Sequence, residues 1–533
     1  MSSRNVSTFV LVLIGFAAMP AIAQSFRVQC PASTITHPNA ANNNSEPTYS
    51  GPTTYAIDAT GKYQVPTANV NGAIKCQQIS GGDGYATMGD GTQTYMFSFG
   101  PLSGLADVAN GLPGTEYPNV FNSLYSGANP IVQPGDPATT DLPSGNMFAF
   151  TYNGAIGLIS DADSVAAGTC TAPCLDGHVD PRAIMDVGVM NGNIPAPLMA
   201  IDEDDEFFLT LTNVGMIMRP DLFEQHTVHF HGYPNASAFY DGVPDASVAI
   251  DIGGSFTYYY LAPDAGSYFY HCHITPPEHL QMGMVGQIYV RPRQNRVPIG
   301  ASLYASLQKQ QLDLRTACNS KADILCTNPL PPSNSVPRAV TGNYAYNDGD
   351  GSTHYDVEYP LQIHGFDPNF HFVGMTFNPE GFADMKDKYF LLNGRSYPDT
   401  VASGPLDTDS SDGVKHFSQP LPSIINIPAG KKALLRISDL DVTEYQTLAS
   451  LGVPMHVIGY NAKLLRDQAG NNLDYYTNSI TLAGGESLDV ILDASDTTKY
   501  QHGQVFYLYT SNLDHLSNDA ENFGGLMTEV HIN

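Results

Sequence analysis

Short runs rich in Tyr, Phe, Val and Thr recur between Gly, Pro, Asn and Asp residues, and long amphipathic helical patterns are scarce, which predicts an all-β protein. Residues 206–212 alternate apolar and polar side chains with the period of a strand, residues 254–260 and 265–270 are strand-like, and another strand begins near residue 94. Residues 24–93 are polar and turn-rich and predict an extension rather than part of a domain. Residues 100–184 are rich in Gly, Pro and Asp and read as a long insertion. These patterns divide the chain into a first domain over 94–292, a linker over 293–350 with a Pro-rich stretch, and a second domain over 351–533.

The first residues carry a different pattern. Arg4 precedes an apolar run over 9–18 and the small-residue triplet at 21–23, the order of a secretory signal peptide over 1–23. The run is shorter than the ~20 residues that span a bilayer. A secreted or periplasmic location is therefore expected, and the oxidising compartment permits disulfides. There are seven cysteines, and one arrangement pairs Cys30 with Cys76, Cys170 with Cys174 and Cys318 with Cys326, leaving Cys272 as a free thiol. Spacing alone does not fix that connectivity. The formal charge of -29 disfavours nucleic acid and anionic membranes as partners and suits cations.

Candidate chemistry concentrates in two windows. Residues 226–232 read His-Thr-Val-His-Phe-His-Gly, and His271, Cys272 and His273 are followed by His279 and Met284. Two imidazoles, a thiolate and a weak thioether are the ligand set of a blue-copper (type 1) centre, and His226, Cys272, His279 and Met284 supply it. Pro276 and Pro277 stiffen the loop, and Met282 competes with Met284 for the axial place. Side chains alternate along a strand, so His271 and His273 leave the strand on the face opposite Cys272. There they lie beside a second metal position, with His229 and His231 as companions. Catalytic and copper-binding roles thus fall on His229, His231, His271, Cys272 and His273. Tyr268, Phe269 and Tyr270 read as core strand residues.

The order Asn-Gly-Asn-Ile-Pro-Ala-Pro at 191–197, the first histidine window, Asp241-Gly-Val-Pro, the strands at 254–260 and 265–270, and the Cys272 loop resembles the copper domain of multicopper oxidases such as laccases and ceruloplasmin-like ferroxidases. Residues 390–395, 427–430, 433–438 and 485–490 resemble a second domain of that family. The resemblance implies two cupredoxin-like Greek-key β-sandwiches, the second free of copper. It further implies a reductant, a metal ion or a phenol, oxidised at the blue site, electrons passing through Cys272 to a histidine-bound copper, dioxygen as acceptor, and association of subunits into a trimer.

The chain departs from that family in its second domain. The stretches expected to carry further His-x-His pairs read Pro-Met-His-Val-Ile-Gly at 454–459 and Tyr-Leu-Tyr-Thr-Ser-Asn at 507–512, so His456 and His515 read as single structural histidines. Copper nitrite reductase is disfavoured, because that family has an acid at the position of His229 and a ligand histidine at that of Asn512. A blue-copper electron carrier or a copper-tolerance protein is the non-enzymatic alternative, but a carrier has no use for four additional histidines. Glu278 and Asp241 are candidate cation-binding carboxylates at the rim of the blue site.

Overall fold

The computed structural model describes residues 29–104, 107–108, 110–122, 192–216, 218–219, 222, 224–232, 237–262, 264–309, 329–332, 336–374, 381–409 and 415–533. The expected signal peptide, most of the insertion and the pairs Cys170/Cys174 and Cys318/Cys326 lie outside them. Among the described residues no helix is long and apolar enough to cross a membrane.

The all-β expectation is borne out. One four-stranded sheet orders Gln93–Pro101, Ile74–Thr87, Glu206–Gly215 and Ser255–Leu261, and a second orders Ala196–Asp202, Val285–Arg291, Gly266–His271 and His229–His231. Phe97, Phe99, Leu209, Leu211 and Tyr258 from the first sheet meet Met199, Phe230, Tyr270 and Ile288 from the second in one buried cluster that also contains Cys272, Met282 and Met284. Strand alternation explains Glu206–Gly215: Phe207, Leu209 and Leu211 enter this core, while on the other face the Thr210 and Thr257 hydroxyls meet at 2.8 Å and those of Thr212 and Ser255 at 2.7 Å.

Two sequence boundaries need correction. Residues 24–93 are not simply a polar extension, because Ile74–Thr87 pairs in parallel with Glu206–Gly215 and antiparallel with Gln93–Pro101. Its glycines hide the strand in the sequence, and two of them answer a close approach: a Cβ on Gly81 would lie 2.6 Å from the His226 ring, and one on Gly84 would lie 2.9 Å from the Gly192 carbonyl. Upstream residues strap this sheet through the Cys30–Cys76 disulfide and the 2.7 Å contact of His37 Nδ1 with Glu206. Nor is the stretch 293–350 only a linker. Arg293 donates to both Asp204 oxygens at 2.7 Å, and Gln294 is held by Asn347 and Asp348 at 3.0 and 2.7 Å.

The second sandwich packs a seven-stranded sheet, including Val357–Phe366, Lys432–Asp439, Met455–Tyr460 and Glu486–Asp493, on a five-stranded one that includes Gln446–Leu451, Ser479–Leu482, Val505–Tyr509 and Met527–Ile532. Leu361, Leu435, Val457 and Val490 meet Leu448, Ile480, Leu508 and Val530 in its core. The two sandwiches join along Phe269, Val285, Phe366, Leu391 and Leu440. Polar contacts cross the seam as well: Ser267 donates to Asp489 at 2.5 Å, Ser487 to the Ser267 carbonyl at 2.8 Å, and Gln287 to the Arg436 carbonyl at 2.8 Å.

Candidate metal centre

The strand Gly266–His271 delivers Cys272 to the end of the first core. The chain turns through Thr275, at a left-handed φ of 39°, into the short helix Pro276–Gln281, whose two prolines occupy the first helical positions, where a missing N–H costs nothing. This helix, unannounced by periodicity, carries His279 back over Cys272. His226, Cys272 and His279 are all fully buried and present ligand atoms within 4.8 Å of one another. Met284 is buried beside them: its N–H donates to the His279 carbonyl at 2.9 Å and its carbonyl accepts from Cys272 N at 3.2 Å. Met282 is buried too.

The polar atoms of this set are under-satisfied in a way that suits a soft cation. Both ring nitrogens of His226 are buried without a hydrogen-bond partner, a costly arrangement unless something else occupies the position. Cys272 Sγ accepts from Thr227 N at 3.4 Å and faces His279 Nδ1 at 3.2 Å. Burial alone would raise the Cys272 thiol, but the charge of His279, its contact with the sulfur and the neighbouring His226 ring outweigh it and hold the thiol well below its ordinary value. Burial would lower His279, yet Cys272 and Glu224 together push it up to about 9. A buried thiolate facing two imidazoles is the donor set that copper selects.

The second set forms across a strand pair. His229 sits opposite His271 in the antiparallel register of His229–His231 with Gly266–His271, and His229, His231 and His271 also present nitrogens within 4.8 Å of one another. His229 Nδ1 donates to the Asp241 carbonyl at 2.7 Å and His271 Nδ1 to the Cys272 carbonyl at 2.8 Å. Each bond fixes a tautomer that leaves Nε2 without its proton and available to a metal. His231 Nδ1 lies 3.3 Å from His271 Nε2. Burial, with the neighbouring histidines adding to it, lowers His231 and takes His271 down to about 3, so these rings stay neutral. His273 stands outside this three-residue set. Its ring centroid lies 5.1 Å from that of His229, and its N–H donates to Thr227 Oγ1 at 3.0 Å.

The remaining expectations divide. Asp241 belongs to the second set rather than to the rim of the blue-type site, since its carboxylate lies 3.5 Å from His229 Nδ1. Glu278 is half-buried on the helix that carries His279. His456 pairs with Asp474 at 2.8 Å and stacks on Tyr476, and His515 stacks on Phe390 and contacts Gln446 at 2.8 Å. Both have the structural partners expected of single histidines. Sequence reading missed Glu224, whose carboxylate lies 3.4 Å from His279 Nε2, and Gly81, which makes room for His226. It also missed His371, which contacts the Gln281 carbonyl at 2.9 Å and so clasps the ligand helix from the second sandwich.

Residues 176–295, the segment holding both sets, match the family model described as multicopper oxidase. Over 109 residues the chain is 34% identical to Laccase abr2 of Aspergillus fumigatus, covering 20% of this chain and 17% of that protein. It is 33% identical over 112 residues to Multicopper oxidase MCE of Talaromyces pinophilus, covering 21% and 17%. A copper-containing nitrite reductase of Rhizobium meliloti is 35% identical over 109 residues, covering 20% and 26%. The chain thus spans about a fifth of the length of these relatives. A solved blue copper oxidase from Nitrosomonas europaea aligns with a TM-score of 0.42 at 20% identity, over 64% of this chain and 78% of that one. The likeness to multicopper oxidases that the motifs imply is borne out over this segment.

Proposed function

We infer that this chain, with a multicopper oxidase segment at 176–295, is an exported copper-dependent oxidoreductase that oxidises a small reductant, a metal ion or a phenol, and delivers the electrons to dioxygen. The observation that carries this reading is adjacency. Cys272 of the first set and His271 of the second are consecutive residues, and the His271 ring is hydrogen-bonded to the Cys272 carbonyl, so the two sets are linked by one peptide unit.

His226, Cys272 and His279, with Met284 buried beside them, would hold a blue copper; His229, His231 and His271, with His273 beside them, would hold a further one. Copper supplies one-electron oxidation and reduction at each set. The protein's own part is to shape and dry the sites. Burial of His226, Cys272 and His279 excludes water, the Thr227 N–H stabilises negative charge on Sγ, and the carbonyls of Asp241 and Cys272 hold His229 and His271 in one tautomer. The Cys30–Cys76 disulfide supports an oxidising compartment. In this reading a homo-oligomer, a trimer by family resemblance, completes the second set at a subunit contact.

The test is dioxygen uptake by copper-loaded protein with ferrous, manganous or phenolic reductants. Cys272→Ser and His229→Ala should each abolish turnover. Uptake that survives Cys272→Ser contradicts the proposal.

A further inference from the structure

The first copper set depends on a short segment that cannot place itself. His279 rides on the helix Pro276–Gln281 and Met284 follows it, and a helix of six residues is far below the length that holds its shape in water. Tertiary contacts therefore set where the segment sits over Cys272. Ser98 of the first sandwich donates to the Gly283 carbonyl at 2.6 Å. A second group of contacts comes from the other sandwich and converges on Gln281, between the two candidate ligands.

Gln281 is fully buried, and both ends of its side-chain amide are engaged. Nε2 donates to Asp387 Oδ1 at 2.9 Å, and Oε1 accepts from Asp367 N at 3.0 Å. His371 holds the Gln281 main-chain carbonyl at 2.9 Å. The anchors are themselves fixed: Asp367 accepts from Asn369 N at 2.8 Å and Lys386 N at 2.7 Å, and the Thr443 hydroxyl donates to Asp387. That same hydroxyl lies 3.0 Å from Asp441, and burial, with Asp441 adding to it, raises the Asp387 carboxyl well above the usual carboxylate range. Two crowded, buried carboxyl groups weaken the sandwich that contains them. The bond to Gln281 gives Asp387 a role outside its own sandwich.

We propose that Gln281 is a positioning residue for the first copper set: through Asp387, Asp367 and His371 the second sandwich fixes the segment from His279 to Met284, and with it the geometry in which that segment meets Cys272. The inference deepens the copper reading and rests on it. An amide at this position satisfies both of its side-chain partners at once, whereas an apolar side chain would strand the Asp387 oxygen and the Asp367 N–H.

The test changes the second sandwich and reads the metal in the first. Asp387→Ala removes the acceptor of Gln281 Nε2 and relieves the crowding against Asp441, so the thermal midpoint of the copper-free full chain should not fall. Copper bound to that variant should nonetheless show a shifted visible thiolate band and altered paramagnetic hyperfine splitting, and competition with a chelator should read about tenfold weaker binding. Gln281→Leu should change the same signals. Asp387→Asn, whose amide oxygen still accepts from Gln281 while its N–H group faces Asp441, should restore the parental spectrum and affinity. A parental band and affinity in whichever of Asp387→Ala and Gln281→Leu folds overturns the proposal, and so does a shift in Asp387→Asn as large as in Asp387→Ala. A lowered thermal midpoint with a parental band would mark the contacts as packing alone and likewise overturn it. A parent chain that takes up copper without any thiolate band contradicts the copper reading, and this inference falls with it; a parental band that the variants leave unmoved contradicts this inference alone.

Discussion

Glu224 Oε2 lies 3.4 Å from His279 Nε2, on the ring edge opposite the nitrogen that faces Cys272 Sγ at 3.2 Å. The contact is an ion pair whose alignment falls short of a hydrogen bond. Partners on the far nitrogen of a metal-ligating histidine orient the ring and tune its basicity. Glu224→Gln should therefore lower copper affinity at the first set by about tenfold, read by competition with a chelator. An unchanged affinity would show that the carboxylate is only a solvated neighbour.

Gly81 tests the first set from the opposite side. A Cβ there would lie 2.6 Å from the His226 ring, and a packed core gives way poorly. Gly81→Ala should cost about 1–3 kcal/mol and push His226 out of position, so the strong visible thiolate-to-copper band should weaken or shift while the sheet persists. A variant with the parental visible spectrum would mean that His226 is not a ligand.

The seam between the sandwiches predicts a pH dependence. Glu358 accepts from Arg291 at 2.5 Å and Arg436 at 3.1 Å. Burial alone would raise its carboxyl, but the two guanidinium groups outweigh that and bring it down from 4.5 to about 2. A folded value below the unfolded one stabilises the protein above pH 4.5, and that stabilisation is lost as pH falls from 4.5 towards 2. Glu358→Gln should cost about 3 kcal/mol at neutral pH, where it strands buried cations, and the gap to the parent should shrink below pH 4.5. Urea unfolding of both proteins at pH 7 and pH 3 decides it; an equal gap at the two values contradicts the assignment.

The disulfide closes a separation of 46 residues and ties the N-terminal strap to Ile74–Thr87. Cys30→Ser should destabilise by roughly 2–4 kcal/mol in thermal unfolding yet leave the visible copper band intact, because Cys76 and Cys272 lie in separate buried clusters. Loss of the band would mean that the strap also shapes the first set.

The site was largely legible in the sequence because copper selects rare residue types, and those types crowd into two short windows. Alternation along the 265–270 strand already placed His271 and Cys272 on opposite faces. The Ile74–Thr87 strand was hidden because Gly81, Gly82 and Gly84 read locally as turn residues, although Gly81 and Gly84 are there for the approach of His226 and Gly192. The helix Pro276–Gln281 is too short to show a period. Glu224 and His371 reach the centre only through tertiary packing, and single carboxylates or histidines carry no local signal that separates them from solvated ones.

The most direct test of the central claim is copper content per chain in the reconstituted protein, with visible and paramagnetic-resonance spectra, compared between the parent and Cys272→Ser. The two histidine-containing sets predict at least two coppers in the parent, with a strong visible thiolate band and a second paramagnetic signal. In Cys272→Ser the band should vanish while the second signal remains, and His229→Ala should remove that signal alone. A single copper per chain, or a visible band that persists without Cys272, would contradict the account.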